Sequence, residues 1–135
     1  MKGILADVHM GTFVEALVRE MQSEYWADYW KQIGLNLYHF EDVGLTPTST
    51  DLEIWHCCQA EQLVLITNNR NAHSEDSLEI AIRENNTPAS LPVFTIGSID
   101  RFRKNRKYAE KVVAQLYDYL ESIDRVRGAG RLYLP

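Results

Sequence analysis

Leu63-Val64-Leu65-Ile66 is the stretch that decides the fold. Four apolar residues in a row are too few for a helix and too continuous for a strand with one wet face. A strand apolar on both faces is the mark of a parallel sheet covered on each side by helices. The flanking segments agree. Upstream, Thr50 and Glu53 stand at capping-box spacing and predict a helix that starts there and ends near Glu61. Downstream, Asp76 and Glu79 repeat that spacing with Asp76 in the cap role. Leu78, Ala81 and Ile82 give that helix a buried face, and Asn85-Asn86-Thr87-Pro88 stops it.

Further out the alternation continues. Ile4 to Ala6 reads as a first strand. Phe13, Leu17, Met21 and Tyr25 recur every four residues and predict a helix from about Thr12 toward Lys31, ended by Gly34. Leu35 to Phe40 reads as a second strand, Glu41 to Thr50 as a loop with Gly44 and Pro47, and Thr67 to His73 as a polar loop. Pro92 to Ile96 is a fourth strand closed by Gly97. A last long helix carries Tyr108, Val112, Leu116, Tyr119 and Ile123 on one face. Gly128-Ala129-Gly130 breaks the chain, and Leu132-Tyr133-Leu134 has the length and character of a final edge strand. The reading is α/β: a single domain over residues 1–135, a three-layer sandwich with a mainly parallel 4–5-stranded sheet and helices on both faces.

A chain of 135 residues is long enough for one core. Its net charge of -5 argues against generalised wrapping of nucleic acid, which needs many cations, but permits a local basic patch. Cys57 and Cys58 are adjacent in a predicted helix and read as buried thiols rather than a vicinal disulfide or metal site. No signal-peptide pattern opens the chain, and no apolar run approaches the roughly 20 residues of a bilayer span, so a reducing cytoplasm and no membrane partner are expected. His56 and His73 do not pair with the cysteines at zinc-site spacing. A Gly-x-Ser-x-Gly elbow and a glycine-rich phosphate loop are both missing, which disfavours a serine hydrolase and a flavodoxin-like phosphate-handling enzyme.

In a parallel sheet the C-terminal ends of the strands and the N-termini of the helices share one edge. Asp7 follows the first strand, Asp51 opens the second helix, Asn68, Asn69 and Asn71 follow the third strand, and Asp76 opens the third helix. Carboxylates and amide oxygens on one rim suit a hard cation such as Mg²⁺. Each also has a plainer reading: Asp51 as a favourable charge at a helix start, Asp76 as a cap, the asparagines as turn residues. Asp7 has the weakest plain alternative, because it borders a buried strand.

On these residues the chain resembles the PIN-like domains, of the small kind grouped with toxin–antitoxin nucleases. The resemblance is carried by Ile4-Leu5-Ala6-Asp7, by His39-Phe40-Glu41-Asp42-Val43-Gly44-Leu45 with Thr50-Asp51, and by Leu63 to Asn71 followed by Asp76-Ser77-Leu78-Glu79. It implies an open parallel sheet flanked by helices, an acidic pocket for Mg²⁺ or Mn²⁺, and single-stranded RNA as substrate of an endoribonuclease. By position, Asp7 matches the family's first-strand acid and Asp51 the acid opening the helix after the second strand. Asn69 stands where the family usually has an acid, with Asp76 close downstream to supply the charge. A catalytically decayed protein- or RNA-binding module is the alternative that Asn69 and the acidic net charge raise.

Arg101, Arg103, Lys104, Arg106 and Lys107 form a basic cluster between the fourth strand and the last helix. Arg101 and Arg103 are candidate contacts to a substrate phosphate, as is Arg70 within the acidic loop; a solvated helix face and an ion pair with Asp76 or Glu75 are the plainer readings. Tyr25, Trp26, Tyr29 and Trp30 cover more than one helix face, which suits homodimer packing, antitoxin docking or ordinary core packing. His9, two residues after Asp7, is a weak candidate for proton transfer, and His39 reads as structural.

Overall fold

The computed structural model describes residues 1–68 and 77–135. β1 (Gly3–Ala6) leads through a single 3-10 turn, Val8–Met10, into α1 (Phe13–Met21) and α2 (Ala27–Ile33). β2 (Asn36–His39) and a second 3-10 turn, Phe40–Val43, precede α3 (Asp51–Glu61) and β3 (Leu63–Asn68). α4 (Ser77–Asn85), β4 (Val93–Ile96), α5 (Ile99–Lys104), α6 (Arg106–Glu121), α7 (Ile123–Val126) and β5 (Arg131–Leu134) complete the chain. The five strands are all parallel, in the order β2-β1-β3-β4-β5. The expected three-layer α/β sandwich is therefore what the chain forms.

Strand alternation divides the core in two. Ile4, Ala6, Val64, Ile66, Phe94 and Ile96 face α1, α2, α5 and α6. Leu5, Leu63, Leu65 and Val93 face α3 and α4. This double burial is why β3 is apolar at consecutive positions. β5 reads differently, as alternating Arg-Leu-Tyr-Leu. Leu132 and Leu134 pack into the α6 layer, whereas Tyr133 is exposed and Arg131 pairs with Glu79 of α4 at 3.4 Å. The cause is topological. The β4-to-β5 connection moves across the sheet in the same direction as β3-to-β4 but passes over the opposite face, so its hand is opposite to that of the other three crossovers. α6 thus covers only one side of the edge strand.

Local signals hold where the determinants are local. Thr50 caps α3 by accepting from the Glu53 amide at 3.1 Å, and Glu53 returns the bond to the Thr50 amide at 3.2 Å. Gly34 ends α2 in the left-handed region. Gly3 is required for steric reasons, since a Cβ there would lie 2.2 Å from the Asn36 carbonyl oxygen and 2.7 Å from the Tyr38 ring.

Two expected long helices are broken. The helix expected from Thr12 to Lys31 stops at Met21, whose carbonyl accepts the buried Tyr117 hydroxyl at 2.7 Å instead of continuing the helical ladder. The following turn swings Trp26 onto Tyr117, ring centroids 5.3 Å apart, and leaves Tyr25 78% exposed rather than in the core stripe. The last helix starts as α6 beyond Asn105, whose side chain caps it by accepting from the Tyr108 amide, and it breaks at Ser122, so Ile123 falls in α7. Part of the expected Glu41–Thr50 loop is the second 3-10 turn, and β2 is shorter than the expected Leu35–Phe40.

Candidate active site at the strand ends

The strand order places a switch point between β1 and β3: the chain leaves β1 toward β2 on one side, while β3 lies on the other. In open α/β sheets ligands bind in the crevice beyond the carboxyl ends of the strands at such a point. Asp7 stands at the end of β1 beside that crevice. It is 4% exposed, and its Oδ1 accepts the His9 amide at 2.8 Å, starting the first 3-10 turn. Asp7 forms no ion pair among the described residues. Among the described residues, then, no counter-charge offsets the cost of burying this carboxylate.

The carboxylate lies on the α3 side of the sheet. Burial pushes the Cys58 thiol up, and the neighbouring Cys57 and Asp7 push it further in the same direction. Burial, with Glu61 adding to it, also raises Cys57. Both thiols are free and protonated at neutral pH, as structural cysteines are.

Beyond Asp7 on the same face runs a polar row that sequence reasoning missed. Leu5 pairs with Leu65 and Thr67 pairs with Thr95, so Asp7, Thr67 and Thr95 continue one row across three adjacent strands. Both threonines are buried, and among the described residues the Thr95 Oγ1 has no hydrogen-bond partner. The sequence signal was the threonine placed in an otherwise apolar Val93-Phe94-Thr95-Ile96 run.

Asp51 opens α3 on the same edge and face. One of its carboxylate oxygens accepts the Ser77 hydroxyl at the start of α4. Asp51 and Ser77 line a cavity of about 500 Å³ between α3 and α4, together with Ile80, Ala81 and Glu84; Asp7 is not in its lining. Among the described residues no group of three or more His, Cys, Asp or Glu side chains is placed to hold a metal ion. Asn69, Arg70 and Asp76 lie outside the described residues, as does Asn71. The structure thus brings Asp7 and Asp51 to one rim, and a three-carboxylate pocket needs Asp76 as well.

On the other side of the rim, Arg103 Nη2 approaches Thr12 Oγ1 at 3.5 Å, tying α5 to the entry of α1, and Arg101 lies over the Tyr108 ring at 4.4 Å. His39 is held between Glu15 (3.2 Å) and Asp42 (3.8 Å), a structural clamp between β2 and α1. The His9 ring packs edge-on against Phe40.

Compared with known proteins, the chain matches no family model, no curated protein and no solved structure. Among the described residues no helix is long and apolar enough to cross a membrane.

Proposed function

We propose that this chain is a metal-dependent endoribonuclease of PIN-like type, acting in the cytoplasm as the toxin component of a toxin–antitoxin pair. The observation that carries the reading is Asp7: a buried carboxylate with no ion-pair partner among the described residues, at the switch point of a parallel sheet. Its donor chemistry suits a hard cation. Asp51 fits in part, because one of its oxygens is taken by Ser77. Mg²⁺ or Mn²⁺, held by Asp7, Asp51 and Asp76 with Asn69 as a neutral oxygen ligand, would polarise a phosphoryl oxygen of RNA and supply activated water.

The chain's own residues provide positioning. The His9 amide fixes one Asp7 oxygen and so orients the carboxylate. Arg103, beside Thr12 at the rim, and Arg101 offer planar donors to a phosphate, with Arg70 a further candidate. The test is cleavage of a labelled single-stranded RNA with Mn²⁺, with EDTA, and with Asp7→Asn. Activity in Mn²⁺ alone, lost with chelator and with the variant, supports the reading; cleavage that survives both removes the metal and Asp7 from it.

A second reading keeps the scaffold and drops the chemistry. Asn69 adds no charge where an acid is expected, and the described residues contain no three-ligand group. A binding module of the same fold would take up no Mg²⁺ or Mn²⁺ in a calorimetric titration at millimolar concentration.

A further inference from the structure

On the opposite side of the sheet from Asp51, the turn between α1 and α2 and the first three turns of α6 enclose a groove of about 660 Å³. That is within the size of pockets that hold drug-sized ligands, ~300–1,000 Å³. Its base is apolar: Trp26, fixed against Tyr117, and Ala114. Tyr25 stands at its edge with most of its ring in water, braced against Trp26 with centroids 4.8 Å apart. The other edge is a cationic stripe. Lys107, Lys111 and Ala114 follow at i, i+4 and i+7 on one face of α6.

The charges on this edge are not used by the fold. Lys107 and Lys111 form no ion pair among the described residues. Glu110, the acid in the lining, is engaged by Arg106 at 3.4 Å, and Arg106 also reaches Glu20 at 2.9 Å. Lys107, in the first turn of α6, opposes the helix dipole. In a chain of net charge -5, a locally cationic, apolar-floored groove is complementary to an acidic partner.

We propose that this groove docks an acidic peptide segment of a partner protein, with an apolar side chain seated over Trp26 and Ala114 and carboxylates meeting Lys107 and Lys111. One turn of helix separates the two lysines, which matches carboxylates one turn apart on a docked helix. The floor favours a peptide over a nucleic acid: Trp26 is 9% exposed, with one face stacked on Tyr117 and Tyr25 and Tyr29 packed roughly perpendicular to it, so too little of its ring is open for a base to stack on. The inference does not depend on the nuclease reading.

The test uses the full chain and a short fluorescein-labelled peptide of glutamates flanking a leucine–tryptophan pair, read by anisotropy. Micromolar binding is expected. It weakens at least about tenfold in Lys107→Glu/Lys111→Glu and in Tyr25→Ser, falls with added salt, and is lost with a peptide whose apolar pair is replaced by glycine. Unchanged melting curves show that both variants fold. Four results overturn it: no binding at millimolar peptide; equal affinity for the variants; binding of the glycine peptide as tight as the original; or a labelled oligouridylate, rather than the peptide, losing affinity in the lysine variant. A dimer in size-exclusion chromatography that the lysine variant dissociates assigns the groove to a second copy and also overturns it.

Discussion

Asp7→Asn separates a functional carboxylate from a structural one. Asparagine is as good a cap as aspartate, so the bond from the His9 amide survives, and side-chain volume hardly changes. What disappears is a charge at a site that is 4% exposed. Without metal, the variant should melt at the same temperature as the parent or a few degrees higher, since about 1 kcal/mol is worth roughly 3–5 °C in a domain of this size. With metal the order reverses. A cation bound with a dissociation constant of about 1 mM and present at about 10 mM stabilises the parent by ~1.4 kcal/mol, and the variant by far less. RNA cleavage should fall at least about 100-fold, or ~2.7 kcal/mol of barrier. Differential scanning fluorimetry across MnCl₂, run beside the cleavage assay, reads all three. An equal metal-dependent shift in both proteins, or a variant markedly less stable without metal, would refute the reasoning that Asp7 is held for a cation.

Other perturbations probe the scaffold. Tyr117→Phe removes the hydroxyl that donates to the Met21 carbonyl; a loss of about 1–2 kcal/mol in urea unfolding is expected, with faster amide exchange in α1 and α2. Gly3→Ala pushes a methyl group into the Asn36 carbonyl and should cost several kcal/mol or abolish soluble expression, whereas an ordinary strand glycine would gain from the change. Alkaline pH should weaken the fold in a defined direction. Burial pushes Tyr117 up to about 12 from 10.0 and raises Cys58 above 9.0. Their folded values exceed the unfolded ones, so this stability is complete below the unfolded values and is lost as pH climbs toward the folded ones. Urea midpoints should therefore drop as the pH climbs from about 9 toward 12, less steeply in Tyr117→Phe; a flat profile would contradict it.

The placement of Asp7 and Asp51 was legible because strand ends and helix starts share an edge in any parallel sheet. That rule alone put Asp7 and Asp51 on one rim, on opposite sides of β2 in sequence. It gave no sign that Ser77 would take an Asp51 oxygen, or that Thr67 and Thr95 would extend Asp7 into a buried polar row. Both depend on register between segments tens of residues apart. The aromatic group was read as crowding more than one face. In the structure Trp26 goes to the core, Trp30 is partly covered, and Tyr25 and Tyr29 stay exposed.

The amino-acid sequence by itself determined what lies within reach of a few neighbouring residues. It specified the strand–helix alternation, the Thr50–Glu53 capping box, the Gly34 stop, the double-faced β3 and the inert thiols. Only the tertiary structure decided where α1 ends, because the group that takes the Met21 carbonyl comes from Tyr117, far along the chain. It also decided the sheet order, the opposite hand of the last crossover, and the groove between Trp26 and α6. Periodicity and caps are short-range preferences, whereas these features arise from which surfaces bury each other, and that competition is resolved only when the whole core packs.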